Sequence, residues 1–282
     1  MSLTIYSQNL KGGFSFEESF HATLDMARSS RPDVLVYPEA YNVDRDRYVD
    51  DVHYELDKMG YYVAIAPYTD EDKRLDQRGM IAATRKEITS DKRLPTVVRI
   101  AGRNMVEATV ELEDSAKLVS VYGVHLDDRS EARRVDQANQ LLGLVAPVTR
   151  HAILVGDFNS IPNGEAKSIK FLAANAISKL VQYGVVPATE PESVDPANTI
   201  GRLGSKGKRL HEIASGTAIE MFLENGMQLA DSNRTPTFPA LKPFAALDHI
   251  VISERLYASN FQTLRGVESA DHLAISATVD LR

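Results

Sequence analysis

The sequence has 282 residues, no cysteine, a formal net charge of −7 and a pI of about 5.6. The lack of cysteine excludes disulfides and thiolate metal sites, so any metal must have oxygen or imidazole ligands, as Mg²⁺ or Mn²⁺ would. The negative charge is the wrong sign for a protein that binds long nucleic acids by general charge neutralisation.

The first residues indicate a compartment. The segment MSLTIYSQNLKGG alternates like a strand and lacks the charged and apolar regions of a signal peptide. No apolar run approaches the roughly 20 residues that a transmembrane helix requires. We therefore expect a cytoplasmic protein without a transmembrane segment.

Strands are predicted where short apolar runs are bounded by polar or turn residues. Nine such runs occur, at residues 3–7, 34–37, 62–66, 80–84, 106–112, 118–124, 152–155, 250–252 and 274–279. The runs at 34–37 and 153–155 are too short for helices and apolar on both faces, which is typical of interior strands. The run at 106–112 alternates, as a strand with one solvated face would.

Helices are predicted between several of these strands. Apolar residues recur at helical spacing in four segments. The first begins near Ser15, and the others cover residues 44–59, 131–145 and 217–224. Thr217 and Glu220 have the spacing of a capping box at the start of the last one. Strand pairs mixed with crossover helices predict an α/β domain with mixed sheets.

One irregular segment stands apart from these elements. Residues 183–210 contain three prolines and a basic, glycine-rich stretch between Arg202 and Arg209. One interpretation is a solvated surface loop, because loops are polar and exposed. The other is a mobile loop whose cations contact a substrate phosphate.

Six polar clusters lie at or just beyond the ends of predicted strands. They are Gln8-Asn9, Pro38-Glu39, His125, residues 156–159, residues 247–249 and Asp271-His272. An α/β scaffold commonly directs rigid functional groups into one cleft from strand ends. A single aspartate in such a position is more often a turn or helix cap. The prediction of a site therefore depends on all six clusters together.

Several of these clusters form an ordered series of motifs. The series runs through His125-Leu126 with Arg134 and Gln137, Gly-Asp-Phe-Asn at 156–159, Asp231 with Thr-Phe-Pro at 237–239, Leu247-Asp248, and Ser-Ala-Asp-His at 269–272. In this order they resemble the endonuclease/exonuclease/phosphatase family, which includes DNase I-like nucleases, inositol polyphosphate 5-phosphatases and sphingomyelinases. The resemblance spans the chain from Asn9 to His272.

The resemblance implies a fold and a domain organisation. The expected fold is an α/β four-layer sandwich, in which two packed mixed β-sheets are flanked by helices. Residues 1–282 would form a single domain, with an irregular insertion around 183–210. The final motif departs from the family by one inserted or shifted residue, and Tyr-Pro-Glu at 37–39 stands where relatives often have Leu-Gln-Glu.

The resemblance also implies a metal site. Glu39 would be the principal ligand of Mg²⁺ (or Mn²⁺), with Asn9 and Asp271 assisting it or orienting water around the ion. Such oxygens suit a hard cation, which would stabilise the charge that develops on a phosphoryl oxygen. Asn9 has the alternative interpretation of a residue that only closes a turn.

Catalytic roles follow from the same resemblance. Asp157 would position or deprotonate the attacking water, and Asn159 would bind a non-bridging phosphate oxygen. His272 would face the phosphate as a proton donor or general base, while Asp248 fixes its tautomer and raises its pKa. His125 would place a second imidazole against the developing negative charge.

Neighbouring polar residues are predicted to have structural roles. Arg134 and Gln137 would orient the loop that carries His125. His249, where relatives often carry an aromatic residue, would be structural. Arg85 follows a predicted strand and has two interpretations, a phosphate contact or a surface salt bridge.

Three functions are compatible with these residues. The first is a metal-dependent phosphodiesterase or phosphatase acting on a small-molecule or lipid-head-group phosphate ester, which the acidic composition favours. The second is a DNA endonuclease or exonuclease with the same active site, which the basic segment favours, although no tryptophan is present for stacking. The third, a catalytically silent binding protein, is disfavoured because the metal-ligand and catalytic positions are all filled.

Overall fold

The structure is a computed structural model that describes residues 2–11, 17–42, 49–67, 78–89, 94–112, 117–145, 151–162, 216–241, 243, 245–267 and 270–281. The irregular insertion around 183–210, with its basic segment, lies outside the described residues. Ser15 and Ser269 lie outside them as well.

The described residues contain twelve strands and four α-helices. The strands are β1 (Leu3–Ser7), β2 (Val34–Asn42), β3 (Tyr61–Pro67), β4 (Arg78–Arg85), β5 (Thr96–Ile100), β6 (Arg103–Leu112), β7 (Lys117–His125), β8 (His151–Asp157), β9 (Met227–Leu229), β10 (Asp248–Ser253), β11 (Leu256–Leu264) and β12 (Ala274–Leu281). The helices are α1 (Glu17–Ser30), α2 (Val49–Lys58), α3 (Glu131–Val145) and α4 (Thr217–Glu224), and a short 3₁₀ helix covers Lys86–Ile88.

The strands form two six-stranded mixed sheets. The first has the order β11-β12-β1-β2-β4-β3, and the second has the order β5-β6-β7-β8-β10-β9. Each sheet has one parallel pair at its centre, β1 with β2 and β7 with β8, and its other neighbours are antiparallel. Parallel neighbours need a crossover connection, and α1 and α3 lie in these two connections.

Apolar side chains pack the elements into four layers. Residues such as Ile5, Val36, Val121 and Ile250 from both sheets form one core between them. A second core joins the outer face of the first sheet to α1 and α2, and a third joins the outer face of the second sheet to α3 and α4. The predicted α/β sandwich of two mixed sheets flanked by helices is confirmed.

All nine predicted strand segments lie within observed strands, but three strands were not predicted. These are β5, β9 and β11, and each one lies at the edge of its sheet. Edge strands have no neighbour on one side, so a continuous apolar run is not required of them. In addition, β9 has only three residues and the pairing of β11 shifts register between Ser259 and Gln262.

The helix predicted for residues 131–145 is confirmed with the same bounds, whereas the predicted capping box at Thr217 is wrong. The N-cap of α4 is Gly216, which makes no side-chain capping bond, and Thr217 lies inside the helix. Side chains from other elements bind the free N–H groups instead. Glu131 accepts from Ala218 at 3.0 Å and Ser160 accepts from Ile219 at 3.4 Å.

The helices within the described ranges are also relevant to the predicted lack of a membrane span. None of them is both long enough and apolar enough to cross a bilayer.

Candidate active site

Three predicted site residues occupy neighbouring positions across the second sheet. His125, the last residue of β7, is paired in register with Asp157, the last residue of β8. Asp248, the first residue of β10, is paired with Asp157 on its other side. All three side chains are buried. The register of the sheet therefore brings two carboxylates and an imidazole together at the same end of these three neighbouring strands.

The first sheet contributes two more predicted residues to the same place. Asn9 follows β1, and its amide donates a hydrogen bond of 2.9 Å to Oδ2 of Asp157. Glu39 lies in β2, with Oε1 at 3.6 Å from Nε2 of His125. The same Nε2 lies 3.7 Å from Oδ2 of Asp157. Side chains from both sheets thus meet between the ends of their central strands.

The backbone is strained at two of these positions. Glu39 and Asn159 have φ angles of 49° and 47°, in the left-handed region that residues other than glycine seldom adopt. Glu39 also lies where the pairing of β2 with β4 breaks register, between Tyr37 and Tyr41. Bulges and left-handed residues redirect side chains and concentrate at functional sites. Here they direct Glu39 towards His125.

Glycine is required just before Asp157. Gly156 has a φ of 137°, and a Cβ atom built there would lie 2.1 Å from the carbonyl oxygen of Val124 in the neighbouring strand. The main chains of β7 and β8 approach too closely at this point for any side chain. This explains the first residue of the Gly-Asp-Phe-Asn motif.

The two polar residues of that motif bind each other and the preceding loop. The N–H of Asn159 donates to Oδ1 of Asp157 at 2.8 Å, and the Asn159 side-chain amide donates to the carbonyl of Leu126 at 3.1 Å. Both oxygens of Asp157 therefore accept hydrogen bonds, Oδ1 from Asn159 and Oδ2 from Asn9. These bonds fix the carboxylate against rotation.

His272 and Asp248 form the predicted pair. Nδ1 of His272 lies 2.7 Å from Oδ2 of Asp248, and the hydroxyl of Thr237 donates to the same oxygen at 2.6 Å. The main-chain N–H of Asp248 donates back to the Thr237 hydroxyl at 3.2 Å. The ring of Phe238 lies 4.8 Å from the imidazole, centroid to centroid. Asp248 is thus held in place, and it orients the imidazole so that Nε2 faces the other residues of the site.

Burial and charge shift two pKa values in this cluster. Burial, reinforced by the Asp248 carboxylate, raises the pKa of Asp157 to about 7, although the nearby His272 opposes the rise. Burial alone would lower the pKa of His272, but the carboxylates of Asp248 and Asp157 outweigh it and raise the pKa to about 10. Nε2 of His272 lies 3.9 Å from Oδ2 of Asp157. A proton-holding imidazole therefore faces a carboxylate that titrates near neutral pH.

The predicted metal ligands Glu39, Asn9 and Asp271 border this cluster. Oδ1 of Asn9 accepts from the N–H of Lys11 at 3.0 Å, and the Lys11 ammonium lies 2.8 Å from Oδ2 of Asp271. The oxygens of Asn9 and Asp271 thus already accept from positively polarised groups. Carboxylate and amide oxygens are the donors that a hard divalent cation prefers, so these residues suit Mg²⁺ or Mn²⁺.

A different group is close enough to hold an ion by distance alone. Ligand atoms of Asp157, Asp248 and His272 lie within 4.8 Å of one another. However, Oδ2 of Asp248 already accepts bonds from Thr237 and His272. These bonds favour an acid–base role for the group, and Glu39 remains the predicted principal ligand.

The loop after β7 is held by three buried polar side chains, those of Arg134, Gln137 and Arg103. Nη1 of Arg134 donates to the carbonyl of Asp127 at 2.7 Å, and Gln137 accepts from the N–H of Asp127 at 2.8 Å, as predicted. Arg103, not predicted, donates to the carbonyls of His125 and Leu126 at 3.2 and 2.8 Å. It follows a turn after β5, a position where arginine is usually exposed, so the sequence gives no signal of its burial.

His249 and Arg85 both make contacts with other parts of the protein. His249 is buried, its Nε2 lies 3.2 Å from the carbonyl of Ser160, and burial lowers its pKa, all of which agree with a structural role. Arg85 binds Asp33 at 3.0 Å and also pairs with Glu87. The salt-bridge interpretation of Arg85 is therefore the one that the structure supports.

The fold and the site together define a class of protein. It is an α/β sandwich of two mixed sheets that carries a carboxylate–imidazole cluster at the ends of their central strands. The sequence model of the Endonuclease/Exonuclease/phosphatase family matches residues 7–272. The chain belongs to this family, whose members are generally hydrolytic and phosphoesterase-like.

Solved structures show the same fold. The human Nocturnin catalytic domain, solved with a bound sulfate anion, is 15% identical with a TM-score of 0.61, and the match covers 100% of this chain and 95% of that one. A family protein from Bacteroides thetaiotaomicron is 13% identical with a TM-score of 0.59, covering 100% and 98%. Humanized D. rerio TDP2 is 15% identical with a TM-score of 0.59, covering 99% of both chains. No curated protein sequence matches significantly.

Proposed function

We propose that this protein is a hydrolase of phosphate esters that depends on Mg²⁺ or Mn²⁺ and acts as a phosphodiesterase or phosphatase. The observation that carries the proposal is the environment of Asp157. Its Oδ2 accepts from Asn9 at 2.9 Å and lies 3.7 Å from Nε2 of His125 and 3.9 Å from Nε2 of His272. A carboxylate between two imidazoles can accept a proton from water while a neighbouring group holds one.

Each side chain has a step that its position allows. Asp157, with a pKa raised to about 7, accepts the proton of the attacking water. His272 keeps its proton, oriented by Asp248, and donates it to the oxygen of the leaving group or to a phosphoryl oxygen. His125 and Asn159 add positively polarised N–H groups against charge that develops on the phosphate.

The metal would be held by Glu39, with Asn9 and Asp271 as further oxygen donors. Bound there, the ion would polarise a phosphoryl oxygen and offset its developing charge. The donor chemistry of the three side chains supports this assignment, because hard cations prefer oxygen ligands.

The favoured substrate is a small-molecule or lipid-head-group phosphate ester. The formal net charge of −7 supports it, since an acidic protein gains little from counterion release on nucleic acid. A DNA endonuclease or exonuclease with the same site is the second candidate, favoured by the basic segment Arg202 to Arg209. A silent binding protein would be expected to have lost part of this cluster.

The test compares bis-p-nitrophenyl phosphate, p-nitrophenyl phosphate and plasmid DNA as substrates, each with Mg²⁺, Mn²⁺ or EDTA. Glu39→Ala should lose turnover of whichever substrate is cleaved, while the matched control Glu111→Ala, on an exposed side chain of β6, should keep it. DNA cleavage that is lost in Glu39→Ala would favour the nuclease. The absence of turnover with every ester, despite measured binding of Mn²⁺, would reject the hydrolase.

A further inference from the structure

A buried glutamine holds the loop that carries His272. Gln8 follows β1, is only 1% exposed, and reaches across to Val267 and His272. Its Oε1 accepts from the N–H of Val267 at 3.0 Å. Its Nε2 donates to the carbonyl of His272 at 3.1 Å and, more weakly, to that of Val267 at 3.4 Å. One side chain thus binds the main chain at two points of this loop.

The glutamine is itself held, and the loop packs tightly upon it. The hydroxyl of Tyr6, a buried residue of β1, donates to Oε1 of Gln8 at 3.1 Å. A Cβ atom added to Gly266 would lie 2.2 Å from Oε1 of Gln8 and 2.4 Å from the Tyr6 oxygen. The main chain at Gly266 therefore lies directly against these two polar atoms, and a side chain there would require Gln8 or Tyr6 to move.

The opposite side of the same loop is attached to the segment before β10. The N–H of Leu273 donates to the carbonyl of Thr237 at 2.8 Å, and that of Ala240 donates to the carbonyl of Asp271 at 2.8 Å. His272 therefore lies between two supports, Gln8 from the first sheet and the Thr237 segment from the second.

Gln8 is adjacent in sequence to Asn9, and the two side chains bind different members of the Asp157–His272 pair. Asn9 donates to Asp157, whereas Gln8 donates to the carbonyl of His272. Two consecutive residues at the end of β1 are therefore bonded to the carboxylate and to the imidazole residue of the same pair. A small change at this point would alter the distance between the carboxylate of Asp157 and the imidazole of His272.

We propose that Gln8 is a positioning residue, which acts through the main chain of His272 to set the imidazole against Asp157. The proposal rests on the proposed hydrolase function, because only a reaction makes that distance matter. An apolar residue in its place would leave the Val267 N–H and the His272 carbonyl without their partner inside the protein. Those buried groups would then move towards other partners, taking the imidazole with them.

Two variants disturb the contact from opposite sides. Gln8→Leu removes the amide, and Gly266→Ala inserts a methyl group where the amide lies. For both, we expect kcat to fall about tenfold to a hundredfold, as for other displacements of about 1 Å, with KM within about threefold of wild type. Tyr6→Phe, which removes one bond to the glutamine, should cause a smaller fall in kcat.

A spectroscopic measurement follows the imidazole without turnover. The proton on Nδ1 of His272 bonds Asp248 across 2.7 Å, and its low-field NMR signal can be assigned by its loss in His272→Gln. This signal should shift or broaden in Gln8→Leu and in Gly266→Ala. Leu56→Ala, which opens the core under α2, serves as a control for lowered stability alone and should keep both the signal and kcat. Gln262→Leu, on an exposed residue of β11, controls for the exchange of glutamine for leucine.

The outcomes separate the two proposals. If wild type cleaves no phosphate ester but the His272 signal moves in both variants, the hydrolase proposal fails while the structural link from Gln8 to His272 holds. If wild type is active, an unchanged signal and an unchanged kcat in Gln8→Leu overturn the positioning role. Equal losses in Gln8→Leu and Leu56→Ala, at equal stability, would also overturn it.

Discussion

The side-chain amide of Asn9 donates a 2.9 Å hydrogen bond to Asp157, joining the end of β1 in one sheet to the end of β8 in the other. The core between the two sheets is formed by apolar side chains from both of them. A polar link at this point couples a carboxylate on one sheet to the residue beside Gln8 on the other. It also lowers the pKa of Asp157 against the larger effect of burial, which raises it.

Asn9→Ala should therefore shift the pH dependence of the reaction. Without the donated bond, the pKa of Asp157 rises further, and more alkaline conditions are needed to ionise it. The rise of kcat/KM with pH should move to higher pH in the variant. Asn225→Ala, at an exposed turn after α4, is the control and should leave the profile in place. A profile that moves to lower pH would contradict the role of the bond.

The stability of the metal-free protein should depend on pH through the same cluster. In the folded state the pKa of Asp157 is about 7 against an ordinary 3.8, and that of His272 is about 10 against 6.5. Both groups bind a proton more tightly when folded, so each adds stability that is complete below its ordinary pKa. The contribution of Asp157 is lost as pH rises from about 4 to 7, and that of His272 from about 6.5 to 10.

Urea unfolding in EDTA can measure this effect. Asp157→Asn should remove the fall in the free energy of unfolding between pH 4 and 7. It should also reduce the fall at higher pH, because the Asp157 carboxylate helps to raise the pKa of His272. The control is Asp280→Asn on β12, a part-exposed carboxylate of the first sheet. Parallel curves for Asp157→Asn and wild type across pH 4 to 7 would contradict the raised pKa.

Mutations should distinguish the role of the His272 imidazole from that of its carboxylate partner, Asp248. His272→Ala should lower kcat by about 10² or more, because an acid–base group contributes on that scale. Asp248→Asn keeps the shape but removes a charge that raises the pKa of His272, so this pKa should fall. NMR titration of the His272 ring measures it, and His53→Ala, at an exposed position of α2, controls the kinetics. A near-wild-type rate for His272→Ala would remove this residue from the mechanism.

Much of this site could be predicted because its residues depend on local sequence and strand order. Asp157 follows the run at 153–155, which was predicted to be an interior strand, and His125 follows the predicted strand at 118–124. The parallel pairing of these two strands places their ends together. Gly156 could be predicted as part of a motif, although the reason for it, contact with Val124, needs the structure.

Long-range polar contacts could not be predicted in this way. Arg103 binds carbonyls on a loop more than twenty residues later, and Gln8 binds a loop near the other end of the chain. Nothing in the neighbouring sequence of either residue indicates its partner. The cap of α4 is similar, because Glu131 and Ser160 replace the local side chain that the spacing of Thr217 suggested. Tertiary packing brings such donors and acceptors together, and the local sequence pattern does not indicate these contacts.

Substitution of Gly156 should show how tightly the strands pack beside Asp157. Gly156→Ala adds a methyl group that would lie 2.1 Å from the carbonyl oxygen of Val124, at a φ angle that alanine also resists. Strand β8 would have to move, and Asp157 with it. We expect a loss of about 3 kcal/mol or more in the free energy of unfolding, together with loss of turnover.

Gly226→Ala separates the steric clash from the backbone strain, because Gly226 has a φ of 82° and open space around it. That control should lose only about 1 to 2 kcal/mol, from the backbone strain of a left-handed φ angle. Equal losses in the two variants, measured by urea unfolding, would mean that the approach of β7 and β8 is less close than 2.1 Å implies.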